Sequence, residues 1–502
     1  MAAEASFPLD ALRLDRSGSV ALHRQLYQAL RLLIIDRALP PGSALPSTRA
    51  MALDLALARN TVTAAYDQLT AEGYLLNRPG ARPRVVDLPT GVAKAATIET
   101  AQAHQPLSRR GSLMARQPVH HGEPGRMIFH PGMPDADYFP FGTWSRLLSR
   151  RASHAGETLF GTYDVAGHPA LRRAIAAYLK AARGVLCAPE QIVVTTGAQA
   201  ALDLLARLLL DPGDAVWMEE PGYYGAQSAF VAAGAKLLPL DVDAGGWALD
   251  PPAHQRLRLV YVTPSCQHPL GATMRMEQRL RLLEIAENRG AWIIEDDFDG
   301  EYRFQGQPIP AMQGADRSQR VIYLGTFAKI LFPALRVGFM VLPHDLVPGV
   351  TRAISITGQF APLLLQAALA DFIEQGHMAR HLRRMRRIYA QRRQVFRTLW
   401  EARLSEWGQL GDGEAGIQIL GVLNGGLDDV AISATCRSHG VNVSPLSIQY
   451  RHGPGCAGLL IGYAAANEAT TRQGLLCLEA AFRSHDGAAS RPLALSLQSD
   501  PG

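Results

Sequence analysis

Residues 321–339, VIYLGTFAKILFPALRVGF, decide the fold. Val321–Leu324 is a short β-branched apolar run, the pattern of a strand buried on both faces. GTFAK (325–329) follows it, and a second apolar run, Val337–Val341, comes next. Lys329 stands in a segment almost free of other charges. A lysine there is partly desolvated, which disfavours the ammonium form, lowers the pKa and leaves an amine able to form a Schiff base. The plainer alternative is a lysine that snorkels from a strand end to solvent. This stretch alone leaves both open.

Working outward, Ile192–Thr195, Ala215–Met218, Leu257–Val262 and Trp292–Glu295 are further strand-like runs, several spaced for helical crossovers. The pattern is that of an α/β domain with a mostly parallel sheet. Polar or glycine-rich clusters follow the strands: TTGAQ (195–199), EEPGYY (219–224), TPSCQHPLG (263–271), EDDFD (295–299) and GTFAK. An open α/β sheet binds its ligand beyond the carboxyl ends of its strands, so the five clusters can converge on one pocket. Asp296 or Asp297 could pair there with a buried cation. For a pyridoxal cofactor that cation is the protonated pyridine nitrogen, and the carboxylate preserves the ring as an electron sink. Glu295 and Asp299 are expected to be solvated.

The chain has 502 residues, 47% hydrophobic and 19% charged, enough for several domains with a large core. No stretch reaches 18 uninterrupted apolar residues, and MAAEASFPLD lacks the pattern of a secretory signal. A cytoplasmic protein with no membrane partner is expected. Five scattered cysteines, with no CxxC, argue against a disulfide framework or a zinc site, and no metal is expected. The net charge of +5 permits nucleic-acid binding without demanding it.

The N-terminal domain is drawn at 12–87. Leu22, Leu26, Leu30 and Leu33 form a helical stripe that Pro40-Pro41-Gly42 terminates; Ser47 suits the N-cap of a second helix; Val62, Tyr66 and Leu69 mark a third, which Gly73 ends. Strand-like Tyr74–Leu76 and Arg84–Leu88 complete the order of a winged helix-turn-helix. Residues 88–125 lack sustained periodicity and suggest a flexible linker. The α/β domain spans 126–485, and 486–502 is expected to be a disordered tail.

The α/β motifs together resemble fold-type I aminotransferases, enzymes dependent on pyridoxal 5′-phosphate, with a large and a small subdomain. The resemblance makes Lys329 the Schiff-base residue, Asp296 the partner of the pyridine nitrogen, and Thr326 and Arg336 phosphate ligands. Ala198 and Gln199 are expected to begin a helix whose N–H groups would cradle the phosphate, and Tyr223 is a candidate beside the ring. Tyr163, in FGTYDVAGHPALRRAI, corresponds to a tyrosine that the neighbouring subunit contributes, which implies a homodimer. Three positions depart from the pattern. Phe298 stands where a tyrosine is usual, His268 where an asparagine is, and Leu460 where an arginine would receive a substrate carboxylate; Arg451, from the preceding loop, is a candidate substitute that the sequence alone leaves open.

PPGSALPSTRAMALDLALARNTVTAAYDQLTAEGYLLNRPG (40–80) closely resembles the GntR winged helix-turn-helix. The resemblance puts Arg49 on DNA, Arg59, Asn60, Thr61 and Thr63 at the start of the recognition helix in the major groove, and Arg82 and Arg84 on the wing. Ala58 replaces the usual Ser/Thr before Arg59, and ARPRVV the glycine-rich wing tip. Both halves together point to the MocR/GabR subfamily of GntR regulators. The function implied is a homodimeric regulator that binds double-stranded operator DNA and senses a small-molecule effector, pyridoxal phosphate itself or an amine or amino acid. The alternative is an active aminotransferase with an accessory DNA-binding domain. Residues 380–397, RHLRRMRRIYAQRRQVFR, hold eight arginines and no acid, either a solvated helix or a second DNA-backbone patch. GDGEAG (411–416) lacks the preceding strand of a dinucleotide site.

Overall fold

The computed structural model describes residues 12–78, 81–87, 107–117, 127–154, 159, 161, 163–243, 245–251, 256–304, 309–413, 415–453 and 455–489. The chain divides into two compact units between Pro106 and Leu107.

In the first unit, helices Leu22–Ile35, Thr48–Asp54 and Arg59–Ala71 precede an antiparallel ribbon of β1 (Leu75–Leu76) and β2 (Arg84–Val85). Leu26, Leu30 and Ile34 are buried, while Leu22 and Leu33 are half-buried. The inward stripe therefore follows i, i+4, i+8 and ends on Ile34. It packs with Met51, Val62, Tyr66, Leu69, Leu75 and Val85. Ser47 caps the second helix, its Oγ accepting from Ala50 N at 3.1 Å. Both strands are shorter than their apolar runs suggest.

In the second unit a large sheet contains β3 (Ile192–Thr195), β4 (Ala215–Glu220), β5 (Lys236–Asp243), β6 (Gly246–Trp247), β7 (Leu257–Val262), β8 (Trp292–Asp297), β9 (Val321–Thr326) and β10 (Gly338–Val341). Their spatial order is β3-β10-β9-β8-β7-β4-β5-β6. Strands β9, β8, β7, β4 and β5 run parallel, and β10 lies antiparallel between β3 and β9. Alternation along β4 divides the interior: Val216 and Met218 enter one core with helices Ala198–Leu209 and Tyr224–Ala232, and Ala215 and Trp217 enter another with helix Met276–Arg289. Helices on both faces make this a doubly covered, mostly parallel sheet, as fold-type I transferases require.

A smaller antiparallel sheet holds β11 (Gly408–Leu410), β12 (Gln418–Leu423), β13 (Ser444–Pro445) and β14 (Gly458–Gly462), ordered β11-β12-β14-β13. Its Ile419, Leu459 and Ile461 share a core with Phe396, Trp400 and Phe482 of helices His377–Leu404 and Glu468–Ala489. The segment Ile128–Gly132 is tied to it: Ile128 N donates to Gly440 O (3.1 Å), Asn442 N to Ile128 O (2.8 Å) and Gly462 N to Phe129 O (2.8 Å).

Two boundaries need correction. Within 88–125, Arg109–Ala115 is a helix capped by Ser108, and Gln117 Oε1 lies 3.4 Å from Ser228 Oγ on helix Tyr224–Ala232. That part is docked on the second unit, since a capped helix with a side-chain tie is no flexible linker; 88–106 and 118–125 lie outside the described residues. The last helix runs to Ala489, into the expected tail at 486–502, and 490–502 lie outside the described residues.

Candidate functional site

The strand-end clusters converge beyond the carboxyl edge of the large sheet. The Lys329 amine lies 5.7 Å from the centre of the Phe298 ring. Phe298 meets His268 edge to face at 5.8 Å, and His268 meets Tyr223 at 5.4 Å. The Tyr223 hydroxyl is 3.4 Å from Gln199 Oε1, and the Gln199 amide donates to Gly225 O at 2.9 Å. Gln199 opens the helix that starts at Ala198 after Gly197, whose φ of +115° suits glycine. No side chain caps that helix. The Arg336 guanidinium packs against Gly197, 3.4 Å from where a Cβ would stand. Thr326, at the end of β9, accepts from Ala328 N at 3.2 Å. Uncapped helix amides, a hydroxyl and a guanidinium are the chemistry of a phosphate cradle.

Asp296 is buried at the end of β8. One carboxylate oxygen accepts from the Tyr261 hydroxyl at 2.8 Å, and Oδ1 is buried with no partner in the protein. Burial pushes its pKa up to about 6, against the hydrogen bond from Tyr261. An orphaned carboxylate oxygen at this depth fits a cationic nitrogen of a bound group. Asp297 does not compete for that role. Its Oδ1 is also buried without a partner, but its Oδ2 accepts from Arg183 Nε and from the Tyr323 hydroxyl, both at 2.6 Å, so its charge is already matched by a buried cation, as that of Asp296 is not.

Burial lowers the Lys329 pKa, opposed by the Asp299 and Asp296 carboxylates. The amine has room because residue 132 is glycine: a Cβ there would stand 1.8 Å from Nζ. Asp299 and Glu295 overturn the expectation of a solvated acidic loop. Both are buried. Glu295 accepts from Met312 N (2.8 Å) and Gln313 N (2.9 Å), and Asp299 from Ile417 N (2.8 Å). These partners come from remote segments that the local run of acids does not reveal. The sequence reading also missed Gly132, Tyr261 and Gln418; Gln418 Nε2 lies 3.3 Å from His268 Nδ1. A glycine, a strand tyrosine and a strand glutamine carry no local mark of chemistry.

Tyr163 lies outside this chain of contacts. It is 75% exposed, its ring stacked on Phe360 at 4.9 Å. Leu460 is buried in β14, and Arg451 is exposed in a loop whose backbone N donates to Glu220 Oε1 at 2.5 Å.

In the first unit Arg49, Arg59, Asn60, Arg82 and Arg84 are exposed, and Thr61 and Thr63 are half-buried. The helix beginning at Arg59 has no side-chain cap at Ala58, so its end presents free amide donors. Thr63 Oγ1 donates to Arg59 O at 3.0 Å, turning that hydroxyl back to its own helix. Arg84 Nη1 donates to Gly42 O at 2.7 Å, which ties the wing to the loop after the first helix.

The basic helix resolves differently. Arg386 donates to Glu301 O at 2.7 Å, Arg392 pairs with Asp135 at 2.7 Å, Arg397 donates to Gly411 O at 2.9 Å, and Arg393 donates to Asp412 O at 3.1 Å. Arg384 lies over the Tyr138 ring at 4.8 Å and Arg380 donates to Gln375 O at 3.2 Å, so six of the eight arginines have partners within the protein. Contrary to expectation a strand, β11, does precede GDGEAG, but the run leads into β12 instead of opening a helix, so it remains no dinucleotide site. Among the described residues, no group of three or more His, Cys, Asp or Glu stands ready for a metal. His120-His121, two adjacent histidines with no other histidine or cysteine beside them in the sequence, lie outside the described residues.

A winged helix-turn-helix followed by a fold-type I transferase unit defines a class: DNA-binding regulators with an aminotransferase-like domain. Residues 22–85 match the bacterial regulatory proteins of the gntR family, and residues 138–478 match aminotransferase class I and II. The chain belongs to the MocR/GabR subfamily of GntR regulators. It is 50% identical, over 96% of its length and 98% of the relative's, to the probable rhizopine catabolism regulatory protein MocR of Rhizobium meliloti. It is 32% identical to the uncharacterized HTH-type transcriptional regulator YdeL of Bacillus subtilis, over 94% of this chain and 98% of the relative. Among solved structures it is similar to LysN, the alpha-aminoadipate aminotransferase of Thermus thermophilus, crystallised with N-(5′-phosphopyridoxyl)-L-leucine. The TM-score is 0.67 and the identity 27%, over 72% of this chain and 93% of that one.

Proposed function

We propose that the chain regulates transcription by holding operator DNA with its first unit and by sensing a small metabolite at a pyridoxal phosphate site on Lys329. The observation that carries the cofactor reading is Asp296, with one oxygen bound by Tyr261 and the other buried and unpartnered. When bound, the cofactor supplies an electron-withdrawing ring and a carbon reactive toward amines. This chain's residues do the rest. The amides of Ala198 and Gln199, with Thr326 and Arg336, hold the phosphate. Asp296 keeps the pyridine nitrogen protonated. Tyr223, His268 and Phe298 bound the ring, and the lowered pKa of Lys329 leaves its amine free to attach.

Arg49, Arg59, Asn60, Thr61, Arg82 and Arg84 form the operator face, and the exposed ring of Tyr163 supports a homodimer in which it reaches the partner's site. Among the described residues no helix is long and apolar enough to cross a membrane, which agrees with a cytoplasmic regulator. The second reading, an active aminotransferase, draws support from Lys329 with Asp296. Phe298 offers no hydroxyl to the ring, and Leu460 no cation to a substrate, which favours the regulator. A mobility-shift titration on the DNA upstream of the chain's own start, with apo and cofactor-loaded protein, tests it. Binding that changes with cofactor or amine supports the regulator. Turnover of amino acids with ligand-independent or absent DNA binding supports the enzyme.

A further inference from the structure

The small sheet turns one face toward Lys329. Gln418 of β12 opposes Gly462 of β14, Leu420 opposes Leu460, and Ser444 of β13 opposes Leu460 from the other side. Residues directly across a sheet share a face, and faces alternate along a strand. Gln418, Leu420, Ser444 and Leu460 therefore lie on one face, while Ile419, Leu459 and Ile461 point into the helix-covered core. Gln418 shows where the first face looks. Its amide nitrogen is 3.3 Å from His268 Nδ1, and its Oε1 is 3.7 Å from the Cβ position of Gly132, the point that lies 1.8 Å from Lys329 Nζ.

That wall is neutral. Leu420 and Leu460 are buried aliphatic groups, and Gln418 and Ser444 add an amide and a hydroxyl. Of the arginines around the site, Arg336 lies against the helix end at Gly197, Arg183 pairs with Asp297, Arg392 pairs with Asp135, and Arg303 donates to Thr273 Oγ1 at 3.1 Å, while Arg451 is exposed in its loop. The charges beside Lys329 are carboxylates, Asp296 and Asp299, and Asp299 Oδ1 is buried with no partner in the protein. A ligand carboxylate placed here would lose its hydration against aliphatic carbon and face the like charge of Asp299, Asp296 being matched by the pyridine nitrogen of the bound cofactor.

We propose that the effector is an amine with no carboxylate on the amine-bearing carbon, its remaining body seated on Leu420 and Leu460, with hydroxyls, where present, met by Gln418, His268 and Asp299. This deepens the function proposed above and rests on the cofactor being held at Lys329.

The test uses the full-length, cofactor-loaded protein and two matched pairs, ethanolamine against L-serine and isopentylamine against L-leucine. The half-saturating concentration for the change in visible absorbance is read at one pH. Each ratio is taken relative to the same pair acting on free pyridoxal phosphate, which removes intrinsic amine reactivity. We expect each amine to half-saturate at least tenfold below its amino acid, and Leu460→Arg to shrink or reverse the ratio. Equal ratios, a preference for the amino acids, or no response to either member would overturn the proposal. The wild-type comparison decides this even if Leu460→Arg fails to fold. Protein that takes up no cofactor on Lys329 before any amine is added overturns the cofactor reading instead.

Discussion

Asp296→Asn should stabilise the cofactor-free protein and weaken its hold on the cofactor, two opposite effects from one atom. The Asp296 carboxyl stands at about 6 in the folded chain against an ordinary value of 3.8, because burial disfavours the anion. The folded value lies above the unfolded one, so the folded chain binds this proton more tightly. Stability therefore falls as pH rises from about 4 to 6, and the whole penalty stands above that window. At about 1.4 kcal/mol per tenfold it is roughly 3 kcal/mol. Asparagine nearly matches the shape, keeps an oxygen for the Tyr261 hydroxyl and removes the charge. All six tryptophans lie between Trp144 and Trp407, so urea unfolding followed by tryptophan fluorescence reports the second unit alone. Without cofactor, the variant's urea midpoint should exceed the wild type's at pH 8, and the gap should narrow toward pH 5. With cofactor the order should reverse, because a buried cation left without its anion costs roughly 3–5 kcal/mol, about a hundredfold or more in Kd. An apo variant no more stable than wild type at pH 8, or one with unaltered cofactor affinity, would refute the reasoning.

Three further outcomes are expected. Arg183→Met strips the cation from buried Asp297 and should cost roughly 3–5 kcal/mol in the tryptophan-monitored transition, with Tyr323→Phe nearer about 1 kcal/mol. Gly132→Ala puts a methyl where Lys329 Nζ now lies and should slow covalent capture of the cofactor, measured as the rate of borohydride-fixable label on Lys329, while the fold persists. Arg59→Ala should weaken specific operator binding by roughly 1–3 kcal/mol if it reads a base, with little change in nonspecific affinity; a phosphate contact would instead lower the salt slope for all DNA.

The parts legible in the sequence were those whose cause is local. Ile192–Thr195 and Leu257–Val262 are strands over the full expected runs because burial on both faces leaves an unbroken apolar signature. β4, β8 and β9 each extend two residues past their apolar runs, into Glu219-Glu220, Asp296-Asp297 and Gly325-Thr326, since the strand must continue to bring its polar end to the site. β5 was missed because Pro239 and the acidic end of KLLPLDVD break a strand's signature, although its residues alternate between buried and exposed. The lysine, phosphate and pyridine positions follow from order along the chain. Gly132, Gln418 and the buried state of Asp299 depend on contacts across a hundred residues or more, which no window can show. Arg109–Ala115 escaped for another reason: it buries none of its side chains and so has no apolar stripe to find.

The central claim is that occupancy at Lys329 alters how the chain holds DNA, which requires the ligand to bind the two states unequally. The most direct measurement is fluorescence anisotropy on the upstream operator at fixed salt. Apo protein, protein saturated with pyridoxal phosphate, and saturated protein with ethanolamine are compared for wild type and Lys329→Ala. The account predicts operator affinities that differ by at least roughly fivefold between ligand states in wild type and converge in Lys329→Ala. Identical operator affinity in every ligand state of the wild type would contradict it.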